Sequence, residues 1–277
     1  MAFVLRDDMN ILFLGDIVGK PGRDAVTERL AFLRSHLKLD LVIANGENAA
    51  GGFGLTKVIA EELFAAGVDV ITTGNHWADQ KEILGYIETE DRILRPANYP
   101  KGTPGRGANL YQTAAGSVLV VNVMGRVFMD ALDDPFAAVE RELSACGLSE
   151  GADAILVDIH AEATSEKMAM GHFCDGRASL VVGSHSHVPT ADAQILPGGT
   201  AFQCDAGACA DYDSVIGMDK AEPLQRFVRK MSSQRFAPAT GPATLCGIFA
   251  QTNGKGLAIR IEPVRQGGRL KQTLPEL

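Results

Sequence analysis

Five polar clusters contain the residues of this sequence best suited to chemistry, and each cluster directly follows an apolar run. The clusters are Asp16 after NILFLG, Glu47-Asn48 after LVIANG, Asn75-His76 after VITTG, His160 after ILVDI, and His185-Ser186-His187 after LVVGS. Their side chains are mostly carboxylates, amides and imidazoles. Oxygen and nitrogen donors without thiolate suit Mn²⁺, Fe or Zn²⁺ better than Ca²⁺ or an iron–sulfur cluster. Together the clusters therefore predict a metal centre.

Each cluster alone also has a simpler structural interpretation. Asp16 could enter a helix, Glu47 could be exposed beside a turn, and His160 could be a hydrogen-bonded core histidine. The strongest single signal is the pair His185 and His187, because two histidines at a strand-to-loop transition can both face one site. The occurrence of all five clusters in one chain favours a metal site over five unrelated turns.

The donors are too numerous for one ion. Two ions about 3.5–4 Å apart, bridged by one carboxylate, would orient a phosphoryl group, neutralise its charge and lower the pKa of a bound water to give hydroxide near neutral pH. His76 is then placed to donate a proton to the leaving oxygen or to stabilise the transition state. The seven candidate ligands are Asp16, Glu47, Asn48, Asn75, His160, His185 and His187.

Apolar runs that alternate with helix-period segments must position these clusters, and this alternation predicts an α/β fold whose first strands lie in order in one sheet. In such sheets the ligand crevice lies beyond the carboxyl ends of the strands, where residues distant in sequence converge. Thr56 is predicted to cap a helix that ends at Gly67, and Asp134-Pro135 to begin another that ends at Gly147. Further helices are predicted over 23–33 and 223–231, and strands over 10–15, 39–44, 68–73, 117–123, 154–159, 180–183, 200–203, 244–251 and 256–261.

Composition excludes several other classes of protein. The 277 residues are 46% hydrophobic and 22% charged, which is typical of a globular chain rather than a disordered or fibrous one. The net charge of −8 predicts no general patch for nucleic acid or anionic lipid, and no apolar run approaches the roughly 18–20 residues of a membrane span. Five scattered cysteines and the lack of a secretory leader predict a cytoplasmic protein. Residues 1–8 are expected to form an N-terminal extension, 9–277 a single domain, and 96–107 a long surface loop.

Other nucleotide or hydrolase motifs fit poorly. The spacing of Gly15, Gly19 and Gly22 is not that of a dinucleotide-binding fingerprint. The GxxxxGK(S/T) pattern of a P-loop is also absent from this segment. The segment around Ser184 lacks the second glycine of a nucleophile elbow. A serine hydrolase would also leave Asp16 and Glu47 without roles.

Longer segments resemble the calcineurin-like metallophosphoesterases, and more specifically their YmdB-like branch. The similar segments are ILFLGDIVGKPGRD, NGENAAGGFGLT, GNH with DQKEI, RPANYPKGTPGRG, DDPF, HAEATSEK, DGRAS and GSHSHVPTAD. The resemblance implies a layered α/β/β/α sandwich of two mixed sheets flanked by helices. It also implies a dinuclear phosphodiesterase that acts on a small-molecule phosphodiester, a cyclic mononucleotide such as 2′,3′-cyclic AMP.

The resemblance further implies a ligand set for each ion, with Glu47 as the bridge. Asp16, Glu47, Asn48 and His187 would hold one metal, and Glu47, Asn75, His160 and His185 the other. The broader superfamily has a histidine two residues after the first aspartate, where this chain has Val18. An amide oxygen from Asn48 in place of that imidazole favours iron or manganese, with zinc or magnesium as alternatives.

Two departures from the branch pattern, at Trp77-Ala78 and at Cys209-Ala210, are expected to bear on substrate choice more than on metal binding. Two other functions stay open at this point. One is a metal-dependent regulatory or nucleotide-binding protein with little turnover, and the other is a phosphomonoesterase on the same core. Apolar outer helices could also form an interface in a homo-oligomer.

Overall fold

The structure, a computed structural model, describes residues 8–277. Apart from Asp8, the predicted N-terminal extension lies outside the described residues. Within the described range no helix combines the length and the apolarity needed to cross a bilayer.

Strands and helices alternate along most of the described chain. Its strands are β1 Asn10–Leu14, β2 Leu41–Asn45, β3 Val70–Thr72, β4 Ile93–Leu94, β5 Ala108–Gln112, β6 Ser117–Met124, β7 Ala154–His160, β8 Leu180–Ser184, β9 Gln194–Ile195, β10 Ala201–Gln203, β11 Ala210–Asp211, β12 Ala243–Thr252 and β13 Ala258–Gln266. Its helices are α1 Gly19–His36, α2 Lys57–Ala66, α3 Ile83–Tyr86, α4 Pro135–Ala145, α5 Thr164–Phe173 and α6 Ala221–Arg229.

These strands form two mixed sheets. The first has the order β11-β12-β1-β2-β3-β4, with β13 paired to β12. Strands β1 to β4 are parallel and lie in chain order, as predicted, while β12 runs antiparallel to β1. The second sheet has the order β5-β6-β7-β8-β10-β9. Its strands β6, β7, β8 and β10 are parallel, so their carboxyl ends share one edge.

Three apolar layers hold the two sheets and their helices together. Between the sheets, Phe13 of β1 belongs to the same buried cluster as Leu156 of β7. The other face of the first sheet packs on α1 through Leu30, and the other face of the second sheet packs on α4 and α5 through Val139 and Met170. The predicted sandwich of two mixed sheets flanked by helices is therefore confirmed.

Thr56, Gly67 and Asp134 cap helices as predicted, but α4 ends at Ala145 with Cys146 as its cap rather than at the predicted Gly147. The Thr56 hydroxyl accepts a hydrogen bond from Ile59 N at 3.2 Å, and Gly67 ends α2 in the left-handed region with φ 108°. Asp134 accepts hydrogen bonds from the first backbone amides of α4. Helix α1 begins at Gly19 rather than at the predicted residue 23, because Pro21 lies in its first turn, where no intrahelical N–H partner is needed.

Candidate metal centre

All five polar clusters converge where the carboxyl ends of parallel strands from both sheets meet. The first sheet places Asp16 after β1, Glu47 and Asn48 after β2, and Asn75 and His76 after β3. The second sheet places His160 at the end of β7 and the two histidines after β8. Register pairs His160 with Ser184 across β7 and β8. Residues 169 positions apart thus contact one another, as the backbone N–H of His185 and the Asp16 carboxylate do.

One group of donors surrounds the fully buried ring of His160. Its Nε2 lies 3.0 Å from Glu47 Oε1, 3.0 Å from Asn75 Oδ1 and 3.1 Å from His185 Nδ1. A single ring nitrogen cannot satisfy three such partners with one proton. Donor atoms of Glu47, His160 and His185 all lie within 4.8 Å of one another, so these side chains could hold a metal ion.

A second group of donors, Asp16, Asn48 and His187, adjoins the first, because Asp16 Oδ1 lies 3.8 Å from His160 Nδ1. His187 Nε2 lies 3.8 Å from Asp16 Oδ1. The Asn48 amide donates to Gly52 O at 2.9 Å, while its Oδ1 is buried and has no hydrogen-bond partner among the described residues. An unsatisfied buried acceptor costs about 1–3 kcal/mol. A cation at this position would supply the missing partner, so the donor set fits a metal.

Each of the three histidines uses one ring nitrogen for the site and the other for a fixing contact. His160 Nδ1 lies 2.9 Å from Ser184 Oγ, and His187 Nδ1 lies 2.7 Å from the carbonyl oxygen of Ile216. His185 Nε2 lies 3.2 Å from the Glu162 carboxylate. Such outer contacts fix the tautomer and direction of metal-binding imidazoles.

The turn that carries His185 and His187 has an unusual backbone. Both residues have positive φ, 93° and 65°, a region that non-glycine residues rarely adopt and that clusters at functional sites. The Asp16 carboxylate accepts the His185 amide hydrogen at 3.2 Å. These contacts let two histidines that are two residues apart face the same site.

A buried ion pair holds the residue between the two histidines. Ser186 donates its hydroxyl to Asp205 Oδ2 at 2.6 Å and its backbone N–H to the same oxygen at 3.1 Å. Lys167 Nζ donates to Asp205 Oδ2 at 2.7 Å, and both side chains are fully buried. Gly207 N donates to the other carboxylate oxygen at 2.8 Å. We refer to Lys167, Asp205 and Ser186 as the clamp.

Burial and neighbouring charges set the protonation of the site. Burial opposes ionisation of Glu47, but the adjacent His160 outweighs it and lowers the pKa of Glu47 to about 2. Burial lowers the pKa of His160, yet Glu47 and Asp16 raise it to about 9. Burial and the neighbouring His160 lower the pKa of His185 to about 3. Without a cation, the centre therefore holds an ionised Glu47 beside a charged His160.

His76 lies at the wall of the cavity that opens onto these donors. Its Nδ1 lies 2.8 Å from Asp79 Oδ2, so Nε2 is the ring nitrogen left for a substrate. Its backbone N–H donates to Glu47 Oε2 at 3.0 Å. The cavity has a volume of about 370 Å³ and is lined by Glu47, Asn48, Phe53, His76, Glu162, His185, Ser186, His187, Val215, Ile216, Met218, Pro223, Phe227 and Phe236.

The two departures from the family pattern contribute no side chain to the lining of this cavity. Trp77 is buried and packs edge-on against Tyr99, with ring centroids 5.7 Å apart. Cys209 is buried behind Asp16, whose carbonyl oxygen accepts the Cys209 amide hydrogen at 2.9 Å. Neither residue lines the cavity. Ala210, however, belongs to an apolar cluster with Met218, which does line it, so an effect on substrate choice stays a prediction.

Several residues of the site escaped sequence reasoning. Asp79, Lys167 and Asp205 have no signal of their own, because their partners lie far along the chain or on another element. Asp158 is different: it is a carboxylate inside the apolar run ILVDI, and it accepts the Ser184 hydroxyl at 2.7 Å behind His160. Burial raises the pKa of Asp158 to about 7. A charged residue within a buried strand could have indicated this supporting contact.

Known protein families include one that matches almost the whole of this chain. A model of the YmdB-like protein family matches residues 12–264. The chain belongs to the YmdB-like family. A relative from Bacillus subtilis (strain 168), named 2′,3′-cyclic-nucleotide 2′-phosphodiesterase, is 44% identical over 257 residues, which cover 92% of this chain and 96% of the relative.

Solved structures agree with this family. A crystal structure of a hypothetical protein from Thermus thermophilus has a TM-score of 0.87 and 45% identity, and the match covers 94% of this chain and all of that one. A novel phosphatase from Mycoplasma pneumoniae has a TM-score of 0.88 and 32% identity over 95% of both chains. The predicted family and the predicted enzyme class, a phosphoesterase, are confirmed.

Proposed function

We propose that this YmdB-like chain is a two-metal phosphodiesterase that hydrolyses cyclic mononucleotides, with 2′,3′-cyclic AMP among its substrates. The observation that carries this proposal is the convergence of two adjoining donor groups, one around His160 and one around Asp16. Members of both groups line one cavity, which His76 also lines. The name of the Bacillus subtilis relative supports the substrate class.

The proposed ligands divide between two ions that share Glu47. Asp16, Asn48 and His187 complete one set, and Asn75, His160 and His185 complete the other. The unpaired Oδ1 of Asn48 supports the first set, and the contacts around His160 Nε2 support the second. Because oxygen donors outnumber nitrogens at the first position, iron or manganese fits better there than zinc.

The metal pair would supply Lewis acidity, which neutralises phosphoryl charge and makes water a competent nucleophile near neutral pH. The chain itself supplies proton transfer and orientation. His76 Nε2 donates a proton to the leaving 2′-oxygen of the cyclic diester, so that the ring opens to a 3′-phosphomonoester. Asp79 accepts the Nδ1 hydrogen of His76 and holds the ring in that direction.

Initial rates on 2′,3′-cyclic AMP test the proposal directly. Metal-stripped wild type should be inactive, and Mn²⁺ or Fe²⁺ should restore turnover. Glu47→Gln should lose at least about 100-fold in kcat at any metal concentration, because both ions lose their shared anionic ligand. Glu61→Gln, a half-exposed carboxylate on α2, is the matched control and should keep the wild-type rate.

The outcomes separate the alternative functions. Faster hydrolysis of p-nitrophenyl phosphate than of bis(p-nitrophenyl) phosphate or any cyclic nucleotide would make the chain a monoesterase. Nucleotide bound and recovered unchanged under every metal would make it a regulatory binding protein. Full activity with stoichiometric zinc alone would overturn the preference for iron or manganese.

A further inference from the structure

The cavity has two chemically different ends. We call the polar part of its lining, with Glu47, Asn48 and the histidines, the donor end, and the apolar part, with Phe53, Ile216, Phe227 and Phe236, the apolar end. The two parts adjoin, because Phe53 packs edge-on against His76 with ring centroids 5.1 Å apart. Among the described residues, none that lines this cavity is lysine or arginine. A phosphate group can therefore find opposite charge only at the donor end, with its cations. The remainder of a bound diester must then meet the apolar end.

Ile216 contributes to both the donor end and the apolar end of the cavity. Its carbonyl oxygen accepts from His187 Nδ1 at 2.7 Å, while its side chain lines the cavity and is 53% exposed. Its φ of 48° lies in the left-handed region, which a β-branched residue adopts only when its surroundings impose it. The same residue thus fixes a candidate metal ligand and forms part of the apolar wall.

Helix α6 and the segment after it complete this wall, and buried contacts brace them. Glu222 accepts hydrogen bonds from Arg226 Nε at 2.6 Å and from Gln234 N at 3.1 Å. The Arg226 guanidinium lies 3.9 Å from the ring centroid of Phe236. Phe227 stays 72% exposed at the rim of the cavity. Together with Ile216, it leaves apolar surface exposed at the cavity, and exposed apolar patches mark ligand-binding grooves among other interaction sites.

We propose that this apolar wall is the nucleobase subsite, an inference that rests on the proposed function. Phe53, Ile216, Phe227 and Phe236 bind the flat face of the base, while the cyclic phosphate lies at the donor end. Because the wall is apolar, the base is recognised by its area rather than by hydrogen bonds to its edge. The subsite therefore accepts adenine and guanine alike and prefers purines to pyrimidines.

The test compares two diesters with the same scissile bond, 2′,3′-cyclic AMP and the base-free 2′,3′-cyclic phosphate of methyl β-ribofuranoside. Wild type should prefer the nucleotide by about tenfold or more in kcat/KM, since base–aromatic contact is strong. Phe227→Ala should cut that preference by about 5- to 20-fold, and Phe227→Trp should retain it. Val228→Ala is the matched control, because Val228 is 78% exposed on the same helix and does not line the cavity.

Equal cleavage of both diesters by wild type, or an unchanged preference in Phe227→Ala, would overturn the subsite. A strong preference for guanine over adenine, or for cytosine over adenine, would overturn recognition by area. If wild type cleaves neither diester, the proposed function fails separately. The subsite is then decided by equilibrium binding of 3′-AMP against ribose 3-phosphate: discrimination lost in Phe227→Ala supports it, and equal binding by wild type overturns it.

Discussion

The two ring nitrogens of each histidine in the candidate metal centre make different contacts. These contacts distinguish the candidate metal ligands from the candidate proton donor. In His160, His185 and His187 one ring nitrogen is held by an outer partner and the other meets the shared donors. His76 instead meets Asp79 through Nδ1 and contacts Glu47 only through its backbone N–H. This arrangement supports the proposal that His76 contacts the substrate rather than a metal.

His76→Ala should therefore lower kcat on 2′,3′-cyclic AMP by about 100- to 10,000-fold, the range for loss of a general acid. The affinity for nucleotide, measured by equilibrium binding to the Mn²⁺ form, should change only a few-fold. Asp79→Asn should lower kcat less, by about tenfold, because the His76 ring is still present but no longer held in its direction. A His76→Ala variant whose affinity falls as far as its rate would show that this residue binds rather than catalyses.

At the scale of elements, the loop after β8 is the part of the site under most strain. Two histidines with positive φ flank Ser186, and Lys167 and Asp205 hold that serine by hydrogen bonds within the clamp. A buried ion pair is weak support for stability in itself, because desolvation of both charges offsets their attraction. The clamp's location behind the ligand turn favours a role in positioning.

Ser186→Ala tests this role with the smallest change. It removes only the hydroxyl, which donates to Asp205 and accepts from Lys167 Nζ at 3.2 Å. Metal affinity, measured by chelator competition, should fall about tenfold, the low end of the effect of outer-contact loss. The melting temperature of the metal-free protein should stay near the wild-type value. Ser144→Ala is the matched control, because the Ser144 hydroxyl also donates to a carboxylate, Glu140 at 2.9 Å, but on the exposed side of α4. Equal metal affinity in both variants would exclude the clamp from metal binding.

At the scale of the whole molecule, the sequence predicted most strands of the fold and all the polar clusters. Thr56, Gly67 and Asp134 act where local rules place them. Helix α5 was not predicted, because TSEKMAMGHF has little apolar periodicity. The division into two sheets is not a local property either, since β12 pairs with β1 across more than 230 residues. Family resemblance, rather than periodicity, supplied the two-sheet arrangement.

Each proposed set of metal ligands contains residues from both sheets, so metal binding should stabilise the folded state. Asp16, Glu47 and Asn75 extend from the first sheet, while His160 and His187 extend from the second. A cation bound by residues of both sheets should oppose the separation of the two sheets. At about 100 times its dissociation constant, a ligand specific to the folded state stabilises it by about 2.7 kcal/mol. For a chain of this size that energy corresponds to a rise in Tm of about 5–10 °C.

We therefore expect Mn²⁺ to raise the Tm of metal-stripped wild type by about 5–10 °C, as measured by differential scanning calorimetry. Glu47→Gln should lose most of this rise, because the residue shared by both sets no longer carries charge. Glu61→Gln should keep it in full. An equal rise in Glu47→Gln and wild type would mean that Mn²⁺ stabilises the protein from another site, and the link between the sheets would have to be sought elsewhere.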